Sequence, residues 1–501
     1  MSAIRRQSLI SSAVVYFGFA LGFFNTYLFT RQGSFFTKEE YGLTGGFIAI
    51  ASIMFSVANL GMPAYINKFF PYYNSRLKPK QNDMLTIALV ISSIGFLIVC
   101  FFGWAFQNFV QERFANSPGV DQYYFWIFPF GFGLTLFSVL EAYAWQSGKP
   151  ILTNFLREVF FRIVVTVLIL FATYGVLKKF DTFIKLYAFL FFLSAVILFA
   201  YLFIQRKAAL HFSVSRVTQK FWSKIVTLCS FVWAGGLVYN IANVFDSIVL
   251  MAVLPNGLAV VGVYTLAQNI SSLIQAPQRG IISAAIGPLS QAWREKDYAR
   301  INRIYHRSSI NQLLFSCALF SLIWLNFRDG AITFHLQQGY LEAQYVFLFL
   351  GLTRIIDMGT GVNSQILGTS TYWRFEFVTG LVLLALSLPL NYVLTRHLGL
   401  IGPAISNLVA FTIYNSIRYY FLLKRFKMQP FTKESLWTVL IAAATFGVCY
   451  ALFQSYNGIL WMAARSLVFC ILFAAAAVFL NLSPDINPVL ATVKKRLGMQ
   501  R

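Results

Sequence analysis

Residues 39–47 read EEYGLTGGF, two adjacent acids followed by Gly42, Gly45 and Gly46, and they stand between two long apolar runs. A hydrophobic chain punctuated this sharply is turning round. Thr37 and Glu40 have the spacing of a capping box, so a helix is expected to start here. Acids in its first turn suit the positive end of the helix dipole. The glycines let that helix pack closely against a neighbour, as small residues do in a membrane. The pattern returns at residues 261–269, VGVYTLAQN, where Gly262 follows Gly42 by 220 positions. The same offset relates Gly131 to Gly351 and Gly148 to Gly368. Both halves close a sixth apolar run with aromatics and then bases, FAYLFIQRK and RYYFLLKRFK.

The composition says what kind of chain is turning. Of its 501 residues 58% are hydrophobic and 11% charged, and the mean hydropathy is +0.66. Soluble domains carry about 25% charged residues, so this is an all-α membrane protein. About 20 apolar residues cross the hydrocarbon core. By that measure about 14 spans are expected, near 8–30, 41–64, 84–106, 122–146, 151–175, 183–205, 224–252, 258–282, 309–328, 344–367, 375–395, 399–423, 436–454 and 459–480. The repeat divides them into two pseudo-symmetric six-helix bundles, 1–207 and 208–427, with two extra helices in 428–482 and a basic tail in 483–501. Like copies in the same orientation are related by an axis along the membrane normal.

A net charge of +23 on a soluble chain would suggest nucleic acid. Here most of the 40 Lys and Arg fall on one side, in stretches such as NKFFPYYNSRLKPK, WREKDYARINRIYHR and KRFKMQPFTK. Cytoplasmic loops hold such an excess, which places both termini in the cytoplasm and makes nucleic acid no partner. Five cysteines lie inside apolar runs and act as small hydrophobes. No G-x-x-x-x-G-K-[ST] or H-E-x-x-H is present, and SGKP at 147–150 fails the first pattern. Catalytic groups, metal ligands and cofactors are therefore not expected. A membrane-embedded glycan polymerase or ligase is disfavoured too, because no large outer segment carries a His, Asp and Glu cluster.

Ionisable groups within spans are costly and worth naming. Span 5 carries Arg157, Glu158 and Arg162; span 10 carries Arg354 and Asp357; Glu141, Asp246, Arg279, Arg418 and Arg465 stand in spans 4, 7, 8, 12 and 14. Arg279 and Arg418 lie about a turn from the cytoplasmic ends, where a long side chain snorkels. Glu158 and Arg162 have the spacing of an intrahelical pair, and so do Arg354 and Asp357. Arg162 lies about 16 Å into span 5, near the midplane. With Arg157 it leaves span 5 a positive surplus suited to an anionic passenger, so Arg157 and Arg162 are the candidate anion ligands. Glu141, Asp246 and Asp357 are the candidate ion-coupling acids. Asp246 has no base nearby in sequence, and a hydrogen bond to Asn240, Asn243 or Asn25 is its alternative role. Asn25, Asn240 and Gln268 are candidates to meet sugar hydroxyls, although such amides also glue helices together.

Three stretches resemble one family. FFTKEEYGLTGGFIAIASIMFSVANLGMPAYINKFFPYY, NVFDSIVLMAVLPNGLAVVGVYTLAQNIS and HLGLIGPAISNLVAFTIYNSIRYYFLLKR are similar to bacterial polysaccharide (Wzx-type) flippases over most of residues 1–425. That family shares a superfamily with multidrug antiporters and lipid II flippases. The resemblance implies two six-helix bundles around a cavity that opens alternately to each side of the bacterial inner membrane. It implies undecaprenyl-diphosphate-linked oligosaccharide as passenger, its diphosphate held by Arg157, Arg162, Arg279 and Arg354, with membrane lipids and other polysaccharide assembly proteins as partners. An ion-coupled multidrug antiporter and a lipid II flippase are the alternatives. The chain departs from lipid II flippases, whose first span and following loop are richer in arginine. It also exceeds the twelve spans usual for drug antiporters.

Overall fold

The capping box forms as the sequence predicts. In a computed structural model, Thr37 Oγ1 accepts the Glu40 amide at 3.2 Å, and a Glu40 carboxylate oxygen accepts the Thr37 amide at 2.9 Å. The structure describes residues 3–78, 81–205, 209–486 and 488; the side chains of residues 3–13, 279, 283 and 373 are outside that set, as is most of the basic tail. Among the described residues the chain is helical, with no strand. The helices used below are α1 (Ala3–Thr30), α2 (Lys38–Ala58), α3 (Met62–Arg76), α4 (Met84–Ala105), α5 (Ile127–Gln146), α6 (Phe161–Thr173), α7 (Phe180–Ile204), α8 (Arg216–Val253) and α9 (Gly257–Glu295). They continue as α10 (Tyr298–Thr333), α11 (Ala343–Gly359), α12 (Asn363–Thr369), α13 (Trp373–Leu398), α14 (Gly402–Phe426), α15 (Lys433–Phe453) and α16 (Ile459–Phe479).

Ten described helical runs are long and apolar enough to cross a membrane, or eleven if the pair Tyr340–Gly359 and Asn363–Thr369, bent by 48°, makes one span. One run, Arg374–Phe426, holds both α13 and α14. The expected second span stops earlier than its apolar run. Gly61 takes a left-handed backbone, φ +76°, that ends α2 and starts α3 with Pro63 in its first turn. The basic stretch beyond is therefore largely helix, not loop. Tyr65, Ile66, Phe69 and Tyr73 recur at helical spacing and are buried. The stretches around spans 7, 8 and 9 are likewise drawn into α8, α9 and α10, each longer than a span needs.

Two compact units divide at Met1–Gly262 and Val263–Arg501. The proposed division at 207/208 follows the repeat, whereas this one follows packing. In the first unit α5 sits innermost, against α2, α3, α4 and α7. Its Phe130 stacks on Tyr187 and meets Phe47 and Phe191 edge to face. Gly42 on α2 faces the start of α9 closely: a Cβ there would stand 1.8 Å from the Leu258 carbonyl oxygen and 2.9 Å from the Gly262 nitrogen. A Cβ on Gly262 would stand 2.5 Å from the Lys38 carbonyl oxygen. The two glycines first paired by sequence offset thus meet backbone to backbone, where no side chain fits.

In the second unit α10 packs on α11, α15 and α16, and α14 packs on α11 and α13. Polar contacts hold α16. Arg465 forms an ion pair with Asp329 of α10, and its Nε donates to Asn326 at 2.8 Å. Both ionic side chains are less than a tenth exposed. After the last span, Asp485 accepts hydrogen bonds from Arg307 and from Asn311, the latter at 2.6 Å. Burial alone would raise the Asp485 carboxyl; those hydrogen bonds and the Arg307 charge hold it below the ordinary value instead.

Two outcomes follow from these contacts. Replacing Arg465 by Met strands a buried carboxylate and costs about 3–5 kcal/mol of stability, whereas Asp329→Leu with Arg465→Met recovers most of it; detergent unfolding curves measure both. A depressed carboxyl contributes stability above its unfolded value of about 4 and loses it as pH falls through the folded value. Hydrogen exchange over residues 483–486, corrected for intrinsic rate, is therefore steady from pH 7 to 5 and accelerates below about 4. In Asp485→Asn it is fast at every pH and the acid step is gone.

Candidate functional site

The helix expected as span 5 is not regular. A short helix, Pro150–Asn154, passes into a π-helical turn, Phe155–Phe160, and then into α6. A π turn inside an α-helix is rare and is frequent at functional sites. This one carries Arg157 and Glu158.

Both of its charges find partners. Arg157 Nη1 lies 2.5 Å from Glu141 Oε2 of α5. Glu141 is 6% exposed and Arg157 40%, so one end of the pair is sealed and the other is open. The second Glu141 oxygen, Oε1, is buried without a hydrogen-bond partner. One turn on, Arg162 Nη1 meets Glu158 Oε2 at 2.5 Å and the Glu158 carbonyl at 2.9 Å. The positive surplus of this segment is offset from outside it: with Glu141 of α5, two guanidinium groups face two carboxylates. Sequence could propose the Glu158–Arg162 pair from spacing, but not Glu141–Arg157, which joins different helices.

Arg162 is turned into α1. A Cβ on Gly18 would come within 2.9 Å of its Nη1, and one on Gly22 within 2.9 Å of its Nε. The Phe19 ring centroid stands 5.5 Å from the guanidinium carbon. Asn25 Nδ2 donates to the Arg162 carbonyl at 2.9 Å, and Thr166 Oγ1 donates to Asn25 Oδ1 at 2.6 Å. Asn25 acts here as a bond between α1 and α6. The Gly-x-x-x-Gly spacing at 18–22 was the signal for this close contact, and sequence reading passed over it.

In the second unit the adjacent charges Arg354 and Asp357 do not pair, against the three-residue spacing. Asp357 accepts from Gln278 Nε2 of α9 and from Asn415 Nδ2 of α14, each at 3.2 Å. Asn415 Oδ1 in turn accepts from Thr360 at 3.1 Å and Asn363 at 3.0 Å. Arg354 makes no ion pair among the described residues, and its Nε is buried without a partner. Gln278 was missed because nothing in its surroundings distinguishes it from other amides of that helix.

Arg418 corrects a second expectation. It does not snorkel but is buried, 3% exposed, and forms an ion pair with Glu376. Tyr414 and Glu376 both take hydrogen bonds from its Nη2, and the Tyr414 ring lies 3.6 Å from its guanidinium carbon. Ser364 donates to Glu376 at 2.6 Å. Glu376 was passed over because it stands in the first turn of α13, where an acid reads as a helix start.

Asp246 of α8 is buried, 2% exposed. Asn243 donates to the Tyr239 carbonyl of its own helix at 2.7 Å. Among the described residues Asn240 and Gln268 are partly buried and make no side-chain hydrogen bond. The Arg279 side chain lies outside the described residues. No group of three or more His, Cys, Asp or Glu that would hold a metal occurs among them.

The model of the family described as "Polysaccharide biosynthesis protein" matches residues 4–293, more than half of the chain. The chain belongs to that polysaccharide biosynthesis family. It has the fold of solved transporters as well. The lipid II flippase MurJ, in an inward closed conformation, superposes with a TM-score of 0.72 over 94% of this chain and 98% of that one, at 16% identity. An inward-facing multidrug resistance MATE transporter of the MOP superfamily gives 0.62 over 81% of this family member and 95% of that chain, also at 16%. A MATE transporter of Vibrio cholerae gives 0.57 over 85% and 98%, at 14%. No curated protein sequence matches.

The unequal exposure of Glu141 and Arg157 fixes an asymmetry. Arg157→Met leaves a sealed carboxylate without its cation and costs about 3 kcal/mol, while Glu141→Gln leaves a half-solvated guanidinium and costs about 1 kcal/mol. Unfolding of both variants in detergent measures the difference; equal costs would show that the pair is solvated at both ends.

Proposed function

We propose that this chain is a flippase that carries undecaprenyl-diphosphate-linked oligosaccharide outward across the bacterial inner membrane, for cell-surface polysaccharide synthesis. Membership of a polysaccharide biosynthesis family carries the reading. The fold supports it, since the lipid II flippase covers 94% of the chain and the inward-facing MATE transporter 81%. Fourteen spans are proposed: the ten runs, the second helix of Arg374–Phe426, the bent pair, α1 and the charged helix over 150–173. Both termini are proposed to face the cytoplasm, as the basic loops indicate.

The physical task is to move a diphosphate through hydrocarbon. Arg157 is proposed to exchange Glu141 for the diphosphate, because its open end lets an anion approach while the pair still stands. A charge-assisted hydrogen bond contributes about 1.5–3 kcal/mol, enough to compete with a pair that water already weakens. In the second unit Arg354, which has no ion pair among the described residues, and Arg279 are proposed as anion contacts of their own. Arg162 stays with Glu158 and α1 and supports the π turn that presents Arg157. Asn240 and Gln268 are proposed to meet sugar hydroxyls. An inside-negative potential favours outward movement of an anion by about 2.3 kcal/mol per charge per 100 mV. Glu141, Asp246 and Asp357 are the groups through which a proton or cation would be coupled. The passenger's polyprenyl chain and the surrounding membrane lipids are the apolar partners, and other polysaccharide assembly proteins are proposed to supply and receive the sugar.

Deletion of the gene is expected to accumulate a polyprenyl-diphosphate oligosaccharide, detected by mass spectrometry of lipid extracts. Arg157→Ala, at unchanged protein abundance, is expected to restore export about tenfold less well than the wild type. No accumulation in the deletion strain, together with new sensitivity to cationic drugs, would transfer the reading to a multidrug antiporter. Full export by Arg157→Ala would remove Arg157 from the site.

A further inference from the structure

Beside α13 and α14 the second unit carries a groove that the flippase reading does not use. It encloses about 720 Å³ and is lined by Phe375, Ile413, Ile417, Phe421, Lys424 and Arg425, with hydroxyls from Thr412 and Ser416. Its apolar floor is fixed, because Phe375 and Phe421 stack with centroids 4.1 Å apart. Its cations are gathered at one end. Arg425 Nε donates to Tyr372 Oη at 3.2 Å, and its guanidinium carbon lies 6.0 Å from that ring. Lys424 Nζ stands 5.7 Å from the Tyr420 ring. Lys424 and Arg425 are both exposed and have no ion pair among the described residues.

We infer that this groove is a binding site for an anionic phospholipid. The chemistry is that of one molecule with two ends. From residue 412 to residue 425 the helix rises about 20 Å, longer than the ~15 Å of one leaflet's hydrocarbon. An acyl chain therefore lies along Ile413, Ile417 and Phe421 while its phosphate reaches Lys424 and Arg425. Aromatic rings beside those two cations suit the headgroup level of a membrane, where Tyr is enriched. A zwitterionic lipid would fill the same floor, but its own ammonium would face the two cations. The charge at the end of the groove thus selects a net negative headgroup. The site does not depend on the sugar carried, so it stands or falls apart from the transport reading.

Native mass spectrometry of the full-length protein in detergent, titrated with phosphatidylglycerol or with phosphatidylethanolamine of the same chains, tests it. The wild type is expected to retain phosphatidylglycerol preferentially. Lys424→Ala with Arg425→Ala is expected to weaken that binding about thirtyfold, while Lys178→Ala with Lys179→Ala leaves it unchanged. Ile413→Trp keeps both cations and fills the floor, and is expected to displace the lipid as well. Equal retention of the two lipids, or undiminished phosphatidylglycerol binding in either groove variant, would overturn the assignment. Displacement of phosphatidylglycerol by equimolar undecaprenyl diphosphate would overturn it too, by making the groove an entry for the passenger.

Discussion

A charge taken into the hydrocarbon of a bilayer costs about 2.5–3.5 kcal/mol even on the most lenient scales, and this chain answers that cost pair by pair. Glu141 meets Arg157, Glu158 meets Arg162, Asp329 meets Arg465 and Glu376 meets Arg418. Only one of these four, Glu158–Arg162, is made within a single helix. The other three each bind two helices, so the helices that carry them are tied as well as neutralised. Asp357 is handled differently, by amides from two further helices.

The pairs differ in how they meet solvent, and that difference separates scaffold from site. Arg465 and Asp329 are sealed on both sides, as suits a fixed joint between α10 and α16. Arg418 is sealed and held by several acceptors at once. Arg157 alone among these four arginines is about two-fifths exposed, with its carboxylate buried behind it. Such a pair holds its geometry without a ligand and still offers donors to one.

Backbone proximity is the second device. Without a hydrophobic drive between helices in lipid, close packing and hydrogen bonds must hold them. Gly42 and Gly262 bring α2 and the start of α9 to backbone contact, and Gly18 and Gly22 make room on α1 for the Arg162 side chain. In each case the small residue stands where a larger neighbour, or a neighbour's backbone, must come.

The sequence by itself settled the class of protein, because so many long apolar runs have no other use than to cross a membrane. It settled the start of α2, since a capping box is made by residues three apart, and it pointed to the family. It also named Glu141, Arg157, Arg162, Arg354 and Asp357 as the groups to watch. Only the tertiary structure decided who partners whom. Arg354 and Asp357 are three apart yet separate, whereas Glu141 and Arg157 are 16 apart and paired. It also decided that α2 breaks off at Ala58, before Gly61, that the helix over 150–173 widens into a π turn, and that Arg418 is buried. The reason is one of range: capping and hydropathy are local properties of the chain, but the electrostatic partner of a buried charge is whichever residue the packing of another helix delivers.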